Sequence, residues 1–180
     1  PHHTPVKRLM PDKPYLRDLV TLFWKTKRLA MEKSRQVMWS NTALLYAYWL
    51  AVSTPGAEIF IRSQQKEEAI SLIDRARYAH INLPSWLQPE LPVPVDAQHR
   101  AVFRVGNVEH ESKIMALASG PHKIRSRTPT LLLDDECALW ENYEESLAAA
   151  TPALEGGGQY ISGSSAYPGE YEDLIFDRMG

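Results

Sequence analysis

The sequence predicts an α/β fold of three layers, in which a mainly parallel central sheet is covered by helices on both faces. Short apolar runs typical of buried strands alternate with segments of helical periodicity along the 180 residues, as in parallel sheets with crossover helices. Polar clusters follow two of the predicted strands, at residues 33–40 and 134–136. Because such sheets bind ligands at the carboxyl ends of their strands, these clusters mark the candidate site.

The first third of the chain is predicted to fold as helix, strand and helix. Apolar residues at helical spacing predict a helix over 15–24. The short apolar run 29–32, which follows a basic stretch, predicts a buried strand. Residues 40–52 are rich in Ala, Leu and aromatic residues and contain no helix breaker, so they predict a second helix that begins near Ser40 or Asn41.

The middle of the chain adds one helix and three strands. The run 57–61 predicts a strand, and 64–80 predicts an amphipathic helix with a small apolar face. That face comprises Ala69, Leu72, Ile73 and Ala76. The segment 84–94 contains four prolines and is predicted to be irregular. Residues 101–105 and 113–118 predict two strands joined by a polar connection.

The last third is predicted to contain two strands and two helices. The apolar run 130–133 predicts a short strand that leads into the acidic residues 134–136. Residues 140–150 predict a helix, a last strand is predicted to begin at Tyr160, and 170–178 predict a short final helix.

Length and composition restrict the class of protein. A chain of 180 residues corresponds to one domain, and its 44% apolar and 23% charged residues exclude a disordered or collagen-like protein. The longest apolar stretch, 42–52, is about half the ~20 residues of a membrane-spanning helix, and no apolar run follows the basic residues 1–10 as in a signal peptide. The single cysteine, Cys137, permits neither an internal disulfide nor a cysteine-based zinc site, which is typical of the reducing cytosol.

Charge is distributed unevenly along the chain. Residues 1–36 contain nine Lys or Arg and three Asp or Glu, a net charge of +6, whereas 129–180 contain one Arg and eleven Asp or Glu, a net charge of −10. A basic segment before a phosphate loop and an acidic segment after a metal site suit an enzyme that acts on a nucleotide with Mg²⁺. Uneven surface charge without a functional role is an equally open explanation.

The segment Lys33–Ser40 connects a predicted strand to a helix N-terminus. Such a loop is an anion site, because free N–H groups and the helix dipole face the ligand; its lysine and Arg35 add charge, and its final serine can ligate Mg²⁺. The usual phosphate loop has Gly where Met38 stands and Lys where Trp39 stands. The segment is therefore either a deviant Walker A motif, with Lys33 supplying the charge, or an ordinary basic turn.

The segment 131–136 joins three leucines to three acidic residues. An apolar strand that ends in Asp-Glu is the Walker B pattern of P-loop ATPases, in which the aspartate lies by Mg²⁺ and the glutamate polarises the attacking water. The alternative is a strand followed by an acidic helix cap. Three adjacent carboxylates repel one another, and a bound cation relieves that repulsion.

Taken together, the motifs resemble the ATPase domain of the large terminase subunit of tailed bacteriophages. The resemblance extends from about residue 14 to residue 177, and six segments follow one another in the order of the family. These segments are 14–18, 33–40, 61–64, 83–87, 124–138 and 160–165. The resemblance implies a P-loop NTPase fold of the ASCE type, with residues 1–180 forming one terminase-like ATPase domain. Because family members also carry a C-terminal nuclease domain, we expect the chain to be a fragment.

The resemblance implies a nucleotide-binding loop and a metal site. The loop comprises Lys33, Ser34, Arg35, Gln36, Val37, Met38, Trp39 and Ser40. Within it, Lys33 is expected to hold the β- and γ-phosphates and Arg35 to act as a catalytic arginine on the γ-phosphate. Ser40 and Asp135 are expected to hold Mg²⁺, with Asp134 taking the aspartate role if the register differs by one residue. Glu136 is expected to orient the hydrolytic water.

Further roles follow from the same resemblance. Arg125 is expected to be a catalytic arginine finger that reaches a neighbouring subunit, although its basic loop also suits contact with the DNA backbone. Ser162 and Ser164 are expected to sense the γ-phosphate, and Tyr15 lies in the segment expected on the adenine side. Three tryptophans are expected in the core rather than stacked on a ligand: Trp39, Trp49 and Trp140.

The implied function is hydrolysis of ATP with Mg²⁺ to drive double-stranded viral DNA into a procapsid. The implied partners are double-stranded DNA, a portal protein, a small terminase subunit and further copies of the chain in a ring on the portal, with no membrane. The implied location is the host cytoplasm, with transient docking on the procapsid. Two alternatives remain open: another nucleic-acid-stimulated ATPase of helicase type, and a P-loop scaffold without catalytic activity.

Overall fold

The structure, a computed structural model, describes residues 10–87, 101–105, 111–120, 124 and 128–176. Its helices are α1 (Pro14–Lys25), α2 (Trp39–Ser53), α3 (Lys66–Ile81), α4 (Tyr143–Glu155) and α5 (Glu170–Ile175). Its strands are β1 (Arg28–Lys33), β2 (Glu58–Ser63), β3 (Val102–Val105), β4 (Ser112–Ala118), β5 (Leu131–Asp135) and β6 (Gln159–Ser165). A 3₁₀ turn, Cys137–Leu139, follows β5.

The six strands form one sheet in the order β1-β6-β5-β2-β4-β3. All neighbouring strands are parallel except β3 and β4, which are antiparallel. In this order β6 lies between β1 and β5, so that Lys33 pairs with Ser165 and Asp135 pairs with Gly163. The predicted mainly parallel sheet is confirmed. The two polar clusters of the sequence meet at the carboxyl ends of β1 and β5, on either side of β6.

Helices cover both faces of the sheet because the strands direct apolar side chains to both. Ile59 and Ile61 belong to the core that α1, α2 and α3 form on one face, whereas Phe60 belongs to the core on the α4 face. The same alternation places Leu132 on the α4 side, between two leucines of the opposite core. A central strand buried on both faces is expected to be apolar at every position, and this explains the uninterrupted leucine run of β5.

The element predictions hold with four differences. The strand predicted over 29–32 is present as β1, but it is only half-buried rather than buried, because β1 is an edge strand with one neighbour, β6. The predicted face of α3 is buried, but the helix predicted from residue 140 begins at Tyr143, because the 3₁₀ turn and Trp140 precede it. The strand predicted over 130–133 continues through both aspartates to Asp135. Trp49, predicted for the core, is 46% exposed and packs edge-on against Trp24 at 5.3 Å between ring centroids. Most of the proline-rich segment lies outside the described residues.

Within the described ranges, none of the helices has the length and apolar character needed to span a membrane.

Candidate active site

The loop that joins β1 to α2 reaches the helix through a left-handed residue. Met38 is the N-cap of α2 and has φ 58° and ψ 19°, a backbone conformation that glycine adopts most easily. Its carbonyl accepts the first helical hydrogen bond, from the N–H of Thr42 at 2.9 Å. The methionine at the usual glycine position therefore follows the backbone path that a glycine would take, and the N–H groups of the first turn of α2 open towards the loop.

Trp39 anchors the start of α2 to the sheet. Its ring is buried, lies edge-on to Phe23, and passes so close to Gly163 of β6 that a Cβ there would be 2.4 Å from the ring. Because only glycine permits this approach, the pair fixes the loop against β6. The expectation that Trp39 belongs to the core is confirmed. Part of this residue also lines the cavity described below.

Four side chains from the two predicted motifs meet at the ends of β1 and β5. The Lys33 ammonium donates to Glu136 Oε1 at 2.5 Å and lies 3.8 Å from Asp135 Oδ1. The Ser40 hydroxyl donates to the same Asp135 oxygen at 3.0 Å. The Lys33 side chain is only 7% exposed, so its charge is held within the protein rather than in solvent.

The two carboxyls differ in their ionisation. Burial raises the pKa of Asp135, and the charge of Lys33 and the hydroxyl of Ser40 offset this only in part. Burial also acts to raise the pKa of Glu136, but the bond and charge of Lys33, helped by the N–H of Ser165, bring that pKa below its usual value. Glu136 is therefore an anion at neutral pH, a state in which a carboxylate can accept a proton or orient a water molecule.

The end of β6 completes the surroundings of Glu136. Its Oε2 atom accepts hydrogen bonds from the Ser164 hydroxyl at 3.4 Å and from the Ser165 N–H at 3.3 Å. Glu136 itself has φ 53°, and its N–H donates to Gly163 O at 2.9 Å. Ser162 is placed differently: it is fully buried, donates to Leu29 O at 3.3 Å and does not line the cavity.

Asp134 is separated from this group and belongs to a buried polar network on the α4 face. Its carboxylate accepts two hydrogen bonds from the Arg62 guanidinium, at 2.7 and 2.6 Å, and a third from the Tyr160 hydroxyl at 2.8 Å. Tyr160 is hydrogen-bonded in turn to Tyr143, and Arg62 donates to the Ser146 hydroxyl at 2.9 Å. Since Asp134 is committed to Arg62, Asp135 is the aspartate that faces Ser40.

Cys137 follows Glu136 directly and is fully buried. Its Sγ donates to Asp134 O at 3.5 Å and Gly163 O at 3.8 Å. Burial raises the pKa of this thiol well above its usual value, and the neighbouring carboxylates add to the effect. The thiol is consequently protonated and unreactive, and it joins the ends of β5 and β6.

A polar cavity of about 610 Å³ opens above these residues. It is lined by all eight loop residues from Lys33 to Ser40, together with Glu136, and it also contacts Asn41, Arg75, Leu139, Ser165, Ala166 and Tyr167. Arg35 is exposed in it. Tyr15 does not line it: this side chain is 48% exposed on α1. Arg125 lies outside the described residues, so the position of its side chain stays a prediction.

No role was predicted from the sequence for two arginines of this region, although Arg62 lies in the family segment 61–64. Arg62 follows the buried apolar run 59–61 of β2, and a buried charged residue there requires an acid as partner. The acidic run after residue 133 is a signal that could have indicated this partner. Arg75 carried no signal, because an arginine on the polar face of an amphipathic helix is ordinary.

The cluster suits a divalent cation and a phosphate group. A hydroxyl and a carboxylate oxygen, from Ser40 and Asp135, lie side by side at the N-terminus of α2, and oxygen ligands of this kind are those that Mg²⁺ prefers. The adjoining loop presents a helix N-terminus, Lys33 and Arg35, which together favour an anion of high charge. Glu136 lines the same cavity beside Lys33.

The fold has close counterparts among solved structures, although no protein-family model matches the chain. A mutant of the Thermus phage P74-26 large terminase ATPase domain has a TM-score of 0.71 at 17% identity, covering 83% of this chain and 64% of its own. The HK97 bacteriophage large terminase has a TM-score of 0.72 at 14% identity, covering 97% of this chain and 38% of its own. A large terminase from a thermophilic bacteriophage, in complex with ATP-γ-S, has a TM-score of 0.61 at 11% identity, with 86% and 38% covered.

The chain thus spans just under two thirds of the first of these proteins and little more than a third of the other two. Identities of this size carry information on the fold alone. The six-stranded, mostly parallel sheet of this chain shares the α/β fold of these phage large terminases.

Proposed function

We propose that this chain hydrolyses ATP as the motor domain of a DNA-packaging terminase. The observation that carries the proposal is the convergence of Lys33, Ser40, Asp135 and Glu136 at the N-terminus of α2. These residues come from two segments almost a hundred residues apart, and the sheet order alone brings them together. The fold shared with terminase ATPase domains, one of them in complex with ATP-γ-S, supports the proposal.

In this proposal each residue has one task. Lys33 and the N–H groups at the start of α2 hold the phosphates, and Arg35 neutralises charge on the γ-phosphate. Ser40 and Asp135 hold Mg²⁺, which when bound supplies positive charge to the phosphate oxygens. Glu136 orients the attacking water and accepts its proton, while Ser164, in contact with the Glu136 carboxylate, senses the state of the site. Arg125 is proposed as the arginine finger for a neighbouring site.

The proposed partners follow from the packaging role. They are double-stranded DNA, a portal protein, a small terminase subunit and further copies of the chain in a ring. The work is proposed to take place in the host cytoplasm, where the motor docks on the procapsid. These proposals rest on the terminase likeness of the fold.

The test is Glu136→Gln in the 180-residue chain. The amide keeps the size of the side chain but cannot accept a proton, so ATP affinity should stay within a few-fold while turnover falls by about 10²–10⁴-fold. Affinity is measured by calorimetry with Mg²⁺, and turnover by phosphate release with double-stranded DNA present. Glu145→Gln, an exposed acid of α4, is the matched control and should behave as the unmodified protein. The absence of ATP binding by the unmodified chain, or a turnover of Glu136→Gln within tenfold of it, would contradict the proposal.

A further inference from the structure

Arg75 is a cation of the nucleotide cavity for which the proposed mechanism has no task. It extends from α3 and lines the cavity from a wall that neither sequence motif supplies. Its neighbours on the helix are occupied elsewhere: Asp74 and Arg77 form their own ion pair at 2.7 Å, and Ala76 is buried in the core. Arg75 is exposed and thus available to a ligand of the cavity.

Asn41 holds the Arg75 guanidinium beside the phosphate loop. Nη1 of Arg75 donates to Oδ1 of Asn41 at 3.0 Å, and Asn41 is the third residue of α2. The guanidinium is therefore tethered next to a helix end that carries a partial positive charge. Its partner is a neutral amide, and within the described part of the chain Arg75 forms no ion pair with a carboxylate.

The charges of the cavity are unbalanced in favour of an anion. Glu136, the acid that lines the cavity, is already paired with Lys33 at 2.5 Å. The positive charges of Arg35 and Arg75 are then left facing the same space. Two positive charges that face one cavity beside a helix N-terminus make the cavity favourable for an anion. The planar fork of a guanidinium offers several donors in the geometry that phosphate oxygens accept.

We propose that Arg75 binds the phosphate chain of the nucleotide from α3, with Asn41 holding the guanidinium in position. The inference rests on the proposed nucleotide site and adds to it a binding residue from outside both motif segments. It makes α3 part of the site, so that the helix following β2 contacts the ligand directly.

The experiment compares Arg75→Gln with the unmodified 180-residue chain by calorimetric titration with Mg²⁺-ATP, inorganic tripolyphosphate and adenosine. A charged hydrogen bond to phosphate is lost, so affinity for ATP and tripolyphosphate should fall by about tenfold to a hundredfold, whereas any binding of adenosine should not change. Arg75→Lys should recover part of the loss, and Asn41→Ala should cause a smaller one. Arg104→Gln removes the same charge from an exposed residue of β3 that does not line the cavity and should leave affinity unchanged.

The outcomes separate this inference from the proposed function. If the unmodified chain binds ATP and the Kd of Arg75→Gln for ATP is within twofold of its Kd, Arg75 is not a ligand-binding residue and the proposed function stands. An equal loss in Arg104→Gln would assign the effect to net charge and also overturn the inference. If the unmodified chain binds neither ATP nor tripolyphosphate, the proposed nucleotide site itself is wrong. Thermal unfolding of each variant checks that the fold is kept.

Discussion

Backbone strain at single residues is concentrated at the candidate site. Among the described residues, three non-glycine residues have positive φ, namely Gln36, Met38 and Glu136, and all three line the same cavity. A left-handed conformation costs an L-residue about 1–2 kcal/mol. Hydrogen bonds hold two of these residues in place: the Met38 carbonyl accepts one from the Thr42 N–H at 2.9 Å, and the Glu136 N–H donates one to Gly163 O at 2.9 Å. Strain that the surroundings maintain in this way is typical of functional sites.

The left-handed conformation of residue 38 predicts that a glycine variant is more stable than an alanine variant, the reverse of the order inside a helix. Met38→Gly should be more stable than Met38→Ala by about 1 kcal/mol, because glycine has no Cβ to oppose φ 58°. The measurement is the free energy of unfolding in urea. Ser71, an exposed residue inside α3, is the control. There the free energy of unfolding of the alanine variant should exceed that of the glycine variant by about 1 kcal/mol, because alanine favours the helix. The same order at both positions would show that residue 38 is not left-handed in solution.

At the scale of elements, β2, β5 and β6 are joined below the site by the Arg62–Asp134 network. Arg62 and Asp134 are both almost completely buried, and they pair across neighbouring strands. Burial and the Asp134 charge raise the pKa of the Tyr160 hydroxyl well above its usual value, so this group remains a donor to Asp134. The network holds the end of β5, and with it the direction in which Asp135 and Glu136 leave the strand.

Removal of one member of this pair should cost more than removal of both. Arg62→Leu leaves the Asp134 charge buried with the Tyr160 hydroxyl as its remaining partner, and should lower the free energy of unfolding by about 3–5 kcal/mol. The double variant with Asp134→Leu leaves no buried charge and should recover a large part of that loss. Urea unfolding followed by circular dichroism provides the values. Equal losses in the single and double variants would mean that the pair is not a buried ion pair.

At the scale of the whole molecule, the sheet topology decides how much the sequence could predict. The two motif segments, 33–40 and 131–136, were predictable because each is contiguous in the sequence. The alternation of strands, loops and helices indicates that both lie at the carboxyl ends of strands. The continuation of β5 through Asp134 was not predictable from periodicity, since it depends on Arg62 from another strand. The exposure of Trp49 and the position of Arg75 likewise depend on how α1 and α3 pack beside α2. Properties within a segment were predicted well, and pairings between segments were not.

The buried His80 of α3 should make the stability of the protein depend on pH. His80 of α3 is buried, its Nδ1 is 2.7 Å from the Tyr48 hydroxyl, and its ring meets Phe103. Burial lowers the pKa of His80 from 6.5, and the pKa of Tyr48, raised by burial to about 12, leaves that neighbour neutral. The unfolded chain therefore binds a proton at a higher pH than the folded one. The stability that neutral His80 permits is complete above pH 6.5 and is lost as the pH falls towards the lowered folded value.

His80→Asn separates this contribution from that of the carboxylates. Asparagine retains a polar group near Tyr48 but does not titrate, so the difference in unfolding free energy between this variant and the unmodified chain should change between about pH 7.5 and pH 5. The unmodified chain should lose more stability over that interval. Urea midpoints at several pH values provide the test, and parallel curves for the two proteins would exclude the role of His80.

The burial of Cys137 has a practical consequence. It is the only thiol in the sequence and its bonds join the ends of β5 and β6, so an alkylating reagent can reach it only after these strand ends separate. The rate of labelling, divided by that of an unprotected cysteine, therefore reports the fraction of time for which the ends of β5 and β6 are separated. Labelling of Cys137 therefore measures local opening beside Glu136. Mass spectrometry can follow it without an introduced label site and without any nucleotide.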